Sequence, residues 1–184
     1  MKNHKITNLS YDDIEKINNL YNKYISDTAF TFDIKEKSLD EKKKWANTFS
    51  DTGPYQCVVA YEGDNLIGFA SSRPFREKSA YITSVETSVY IDEAYIGNGY
   101  GKYLLEELFA RISTFEVKRA YAFITKPNSM SEKLHLSIGF NRVGTLNKVG
   151  KKFDKYWDVG VFEIFLPIKW LLLWIFFRST VKNR

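Results

Sequence analysis

The chain of 184 residues carries a single cysteine, Cys57, so no intrachain disulfide can form and no thiolate cluster can hold a metal. That scarcity fits a reducing compartment, and a cytoplasmic protein without a metal is expected. Met1 leads through Lys2, Asn3, His4 and Lys5 into an amphipathic segment and lacks the apolar run of a secretory signal, so export is not expected. Nor does any apolar run reach the roughly 20 residues that a membrane-spanning helix needs. The longest, 170–177, follows Lys169 and reads Trp170, Leu171, Leu172, Leu173, Trp174, Ile175, Phe176, Phe177. It suits packing against its own domain or a partner subunit, or attachment to a membrane surface helped by Arg178, Lys182 and Arg184. Internal repeats, low-complexity tracts and linkers are also missing. The organisation expected is one domain over 1–167 followed by an apolar, then basic, extension over 168–184.

What is present suffices for one globular domain. Hydrophobic residues make up 44% and aromatics 16% of the chain, with 14 Phe and 12 Tyr, and this excludes general disorder. The excess of 27 Lys and Arg over 22 Asp and Glu, a formal charge of +5, is spread along the chain and accompanied by no nucleic-acid motif. It reads as a solvated surface, without a nucleic-acid partner, and would also suit an anionic small ligand.

Periodicity gives the order of elements. Ser10 and Asp13 open a helix with Ile14, Ile17, Leu20, Tyr21, Tyr24 and Ile25 on one face. Ser38 and Glu41 form a capping box for a second helix bearing Trp45 and Phe49, and 28–33 is an aromatic loop. Two β-rich runs, 56–61 and 66–71, form a hairpin around Glu62, Gly63, Asp64 and Asn65. A longer strand over 80–91 alternates so that Glu86 points away from Val85 and Thr87. Then come a glycine loop, a leucine-rich helix through Leu104, Leu105, Leu108, Phe109 and Ile112, a strand at 119–124, a helix at 128–138 and strands near 140–149 and 156–166. The fold class is α/β with a mixed sheet.

A strand that runs into Gly97, Gly99 and Gly101 and then a helix can hold phosphate, because N–H groups at a helix start lack intrahelical partners. Glycines also make ordinary turns. The pattern is not a P-loop, since Gly101 and Lys102 are followed by Tyr103, and it lacks the further glycine of the dinucleotide fingerprint.

Gly99-Tyr100-Gly101, the leucine-rich helix, Asn128, Leu134-His135 and Gly139-Phe140 together resemble the GNAT superfamily of N-acetyltransferases. Within it, Thr31-Phe32-Asp33, Ala80-Tyr81, the stretch from Glu86 to Ile91, Val149-Gly150, Lys152-Phe153 and Trp157-Asp158-Val159 are similar to the phosphinothricin and methionine sulfoximine or sulfone acetyltransferases. The resemblance implies a GNAT fold, a mostly antiparallel sheet of about seven strands with a splay at the cofactor site. It implies acetyl-CoA as co-substrate, an amino-acid-like primary amine as acceptor, and a homodimer. Val89, Tyr90 and Ile91 would meet the pantetheine arm. The backbone of Gly97, Asn98, Gly99, Tyr100, Gly101 and Lys102 would hold the pyrophosphate, with Asn128 also at the cofactor. The family usually carries Gln or Arg where this chain has Ile96, which removes a side-chain contact to phosphate and leaves the backbone donors.

An amine that is protonated at neutral pH must lose a proton before it attacks a thioester, and the resemblance makes Glu86 its general base, against the plain reading of a solvated strand carboxylate. His135 occupies a position where many relatives reprotonate the departing thiolate; a lone helical histidine is otherwise structural. Arg76 and Lys78, beside Phe75 and Tyr81, match a stretch that lies near the acceptor in the resembling family, with an ordinary exposed loop as the alternative. Phe32, Thr87 and Ser88 complete the expected acceptor site. Two other readings keep the fold: an acetyl-CoA-binding sensor without turnover, and an acetyltransferase of protein N-termini or lysines, which Arg76 and Lys78 disfavour.

Overall fold

The computed structural model describes residues 4–166. Seven strands form one sheet: β1 (His4–Asn8), β2 (Cys57–Glu62), β3 (Asn65–Pro74), β4 (Ser84–Ile91), β5 (Arg119–Thr125), β6 (Asn141–Lys152) and β7 (Lys155–Phe165). Their spatial order is β1-β2-β3-β4-β5-β7-β6. Four α-helices flank the sheet: α1 (Ile14–Asp27), α2 (Leu39–Ala46), α3 (Tyr100–Ile112) and α4 (Ser129–Ile138). The apolar run 170–177 and the proposed extension lie outside the described residues.

Alternation in the central strands divides the molecule into two layers. In β2, Val58 and Ala60 turn one way and Cys57 and Val59 the other, and all four are buried. The first pair joins Leu104, Leu105, Leu108, Phe109 and Ile112 of α3 in the larger core. The second joins Ile17 and Leu20 of α1 and Phe69 of β3, with Trp45 of α2 packed alongside. Each fully buried Leu, Ile or Phe contributes about 1.5–3 kcal/mol relative to exposure, so both faces of β2 and β3 are fixed against their helices.

Local chemistry sets the helix starts. Glu41 N–H donates to Ser38 Oγ (3.2 Å) and Ser38 N–H to Glu41 Oε2 (2.9 Å), the reciprocal capping box expected at α2. Ser10 N–H donates to Asp13 Oδ2 (2.7 Å), but a short 3₁₀ turn, Tyr11–Asp13, precedes α1.

Two elements differ from the sequence reading. β1 was not anticipated, because its five residues include one aliphatic side chain, Ile6; it is an edge strand whose pairing with β2 decides its conformation. The strand expected over 80–91 begins at Ser84, and Ser79–Tyr81 is a 3₁₀ turn. Its partner β3 ends at Pro74, opposite Val85, and a proline has no N–H to continue the ladder.

One junction positions everything that follows. All neighbouring strands run antiparallel except β4 and β5, which are parallel and share three rungs: Ser84 with Arg119, Val85 with Ala120 and Glu86 with Tyr121. Beyond Glu86 the two strands part.

Candidate active site

The parting of β4 from β5 opens a cavity of about 600 Å³ walled by Thr87, Ser88, Val89, Tyr90 and Ile91 on one side and by Ala122, Phe123, Ile124 and Thr125 on the other. Its floor is the loop before α3 and the start of that helix, namely Gly97, Gly99, Tyr100, Gly101 and Lys102. Asn128, Leu134 and His135 come from the segment containing α4. Ile96 also lines it; Asn98 does not.

Glycine is required where this floor turns. Gly99 precedes α3 with φ +85°, a left-handed conformation costing roughly 1–2 kcal/mol for other residues. A Cβ built at Gly97 or Gly99 would meet nothing within 4 Å, so open space lies above the backbone. The ladder of α3 starts with Tyr103 N–H donating to Gly99 O (3.2 Å); the N–H groups before it have no intrahelical acceptor, and a helix start of this kind attracts anions. Asn128 is committed to its own helix, its Oδ1 accepting from Ser131 N–H (3.1 Å).

Glu86 stands on the last shared rung. Its neighbours Val85 and Thr87 are buried on the α3 side at 0% and 4% exposure, and the Thr87 hydroxyl donates to Tyr121 O (3.2 Å) where the strands begin to separate. Glu86 faces the opposite side, half-buried, with Arg73 of β3 directly across from it. Burial raises its carboxyl above the ordinary value, while the guanidinium groups of Arg73 and Arg76 hold it down.

On that side lies a second cavity of about 440 Å³, lined by Tyr21, Asp33, Lys37, Glu41, Lys42, Lys44, Trp45, Phe69, Ser71, Arg73, Ser88 and Tyr90. Ser88 and Tyr90 belong to both cavities. Glu86 lines neither, and borders both: the smaller through Arg73, the larger through Thr87. Among the expected acceptor residues, Ser88 alone reaches the smaller cavity. Thr87 belongs to the larger one. Phe32 fills the space that a side chain at Gly150 would occupy. Phe75 stacks on Tyr121 (ring centroids 4.2 Å) and meets Tyr81 edge-on (5.7 Å), with Arg76 above its ring (4.9 Å). Lys78 is exposed. Arg76 and Lys78 line neither cavity; Arg73, which the sequence reading passed over, lines the smaller one and stands directly opposite Glu86. No local pattern marks it, because its place opposite Glu86 follows from the register of β3 against β4.

His135 is 3% exposed. Its Nδ1 lies 2.8 Å from Ser131 O, an arrangement that puts the Nδ1 proton on that carbonyl, and its ring meets Phe140 edge-on at 4.9 Å. Burial lowers its pKa and favours the neutral ring.

Residues 6–161 match the acetyltransferase (GNAT) domain family. A phosphinothricin N-acetyltransferase of Streptomyces coelicolor is 40% identical over 154 residues, covering 83% of this chain and 90% of the relative. An L-methionine sulfoximine/L-methionine sulfone acetyltransferase of Salmonella typhimurium is 28% identical, covering 83% and 88%. Among solved structures, a phosphinothricin acetyltransferase from Sinorhizobium meliloti in complex with acetyl-CoA superposes with a TM-score of 0.84 at 26% identity, covering 91% of this chain and 90% of that one.

Proposed function

This chain belongs to the GNAT acetyltransferase family and is an acetyl-CoA-dependent N-acetyltransferase; we propose that its acceptor is a small amino acid of the phosphinothricin, methionine sulfoximine or methionine sulfone type, with Glu86 as general base. The observation that carries this reading is the position of Glu86 on the last rung before β4 and β5 separate, between two cavities that share Ser88 and Tyr90.

Acetyl-CoA brings an acetyl group activated as a thioester. The residues of the larger cavity fit it: N–H groups from Tyr100 to Lys102 for the pyrophosphate, open space over Gly97 and Gly99, and, for an extended arm, the edge of β4 at Val89, Tyr90 and Ile91 that β5 leaves uncovered, where Ile91 O accepts from the Tyr24 hydroxyl (2.7 Å). A backbone N–H near Val89 would stabilise negative charge developing on the carbonyl oxygen. The acceptor would occupy the smaller cavity with its carboxylate toward Arg73 and its amine toward Glu86. Glu86 takes the ammonium proton, the freed nitrogen attacks the carbonyl carbon, and the carbon–sulfur bond breaks with its electrons on sulfur, which takes up the second proton shed by the nitrogen to leave the amide and the CoA thiol. No acyl-enzyme forms. Cys57 is buried and its thiol is held well above the ordinary range by burial, so it is no nucleophile. His135 enters this reading as a wall residue, since a neutral ring with its proton on Ser131 has only a lone pair to offer a thiolate.

The test is CoA release from acetyl-CoA with phosphinothricin, methionine sulfoximine and methionine sulfone, each compared with a lysine peptide and spermidine. Preference for the amino acids is the expected result. Turnover confined to the peptide or polyamine would overturn the acceptor assignment.

A further inference from the structure

The smaller cavity contains a cation that the mechanism above does not use. Lys42 projects from α2, is 2% exposed and lines the cavity. Its Nζ lies 3.8 Å from the centroid of the Tyr21 ring and 4.5 Å from that of Trp45. Among the described residues it forms no ion pair with a carboxylate. The two acids of the same cavity are engaged elsewhere. Asp33 pairs with Lys37 (3.1 Å) and accepts from the Tyr21 hydroxyl (2.7 Å), and Glu41 accepts from Ser38 N–H (2.9 Å).

A buried ammonium without a counter-ion is costly. Two aromatic faces recover part of that cost, about 2 kcal/mol for a desolvated cation–π contact, yet rings leave the hydrogen-bond donors of an ammonium unmatched. The groups around it are Tyr21, Asp33, Lys37, Trp45, Cys57 and Arg73. Burial brings its pKa down to about 8, with Asp33 opposing the fall, so it remains mostly charged at neutral pH.

We infer that Lys42 is the specificity-determining residue of the acceptor pocket, holding the distal oxygen-bearing group of the acceptor while Arg73 and Glu86 hold its α-carboxylate and amine. This rests on the proposed acceptor site and narrows its substrate class: an amino acid whose side chain ends in an anionic or strongly hydrogen-bond-accepting group is favoured over one that ends in an apolar group. Of the cations that line the pocket, these two stand in different settings. Arg73 is exposed at the rim, next to the base, and Lys42 is enclosed between rings.

Three acceptors with the same α-amino and α-carboxyl groups separate this from a packing role: phosphinothricin, methionine sulfone and methionine. For the wild type, kcat/KM should favour the first two. In Lys42→Met that preference should fall about tenfold, the size expected for a lost hydrogen bond to a charged group. The loss should appear in the acceptor KM, with kcat and the acetyl-CoA KM unchanged, and Lys42→Arg should restore most of it. An equal change for all three acceptors would overturn the inference. Calorimetric binding of phosphinothricin to the wild type and Lys42→Met needs no turnover and keeps the two readings apart. Equal affinity defeats the role of Lys42, whereas Lys42-dependent binding without acetyl transfer supports it and defeats only the transfer reading.

Discussion

The two cavities on either side of Glu86 are built by different means. The larger draws on backbone features, namely a strand edge, a glycine loop and a helix start within the contiguous stretch 87–102, and is completed by β5 and the segment containing α4. The smaller is mostly side chains, brought together from α1, the loop after it, α2, β3 and β4. Backbone donors are indifferent to the residue that supplies them, so the proposed phosphate end of the site is compatible with Ile96 at a position where the resemblance implies Gln or Arg. Side chains gathered from five segments depend on each of them. Change on the backbone side should therefore act through glycine conformations, and on the other side through individual charges.

Glu86→Gln tests the point between the two and should have the largest effect. It should lower kcat by at least about 100-fold, within the usual range for a lost general base, and leave acetyl-CoA affinity unchanged in a binding titration. A loss below about threefold would remove Glu86 from the chemistry. Next comes Gly99→Val, which places a β-branched residue at φ +85°. Steady-state kinetics should show the acetyl-CoA KM raised about tenfold, in line with a strain of roughly 1–2 kcal/mol, with the acceptor KM unmoved. An equal rise in both would erase the division between the cavities.

A smaller effect concerns pH. Because the Glu86 carboxyl is raised by burial, its base form is lost as pH falls through a value above the ordinary carboxylate range, so the acid limb of kcat/KM lies higher than for an exposed glutamate. Arg73 opposes this rise, and Arg73→Met should move the limb to still higher pH; an unmoved limb would separate Arg73 from the base. Smallest is Ser38→Ala. Loss of the α2 cap costs about 1 kcal/mol, read as a lower urea midpoint, while the acetyl-CoA KM stays the same because α2 borders only the smaller cavity.

The same division explains what could be read from the sequence. The alternating strand, the glycines and the helix after them are local patterns, and they located the larger cavity together with Glu86. The capping box at Ser38 was equally plain. Arg73 was not, because its importance comes from standing opposite Glu86 in a register that depends on two strand ends. Lys42 is the first of three consecutive lysines and carries no local mark in the sequence; the packing of α2 against Tyr21 and Phe69 encloses it, while Lys44 stays exposed. Arg76 and Lys78 precede the turn at Ser79–Tyr81 and line neither cavity, while the charge of Arg76 still acts on Glu86.

The three-rung junction between β4 and β5 has a mechanical consequence. Four strands on one side and three on the other meet through these few hydrogen bonds, so the sheet is two plates joined along a short seam, with Glu86 at the end of that seam. A molecule that lies along both lips of the gap acts as a splint. Amides flanking the opening should then exchange with deuterium more slowly once acetyl-CoA is bound, while those of the β2–β3 ladder, already enclosed by neighbours on both edges, keep their rates.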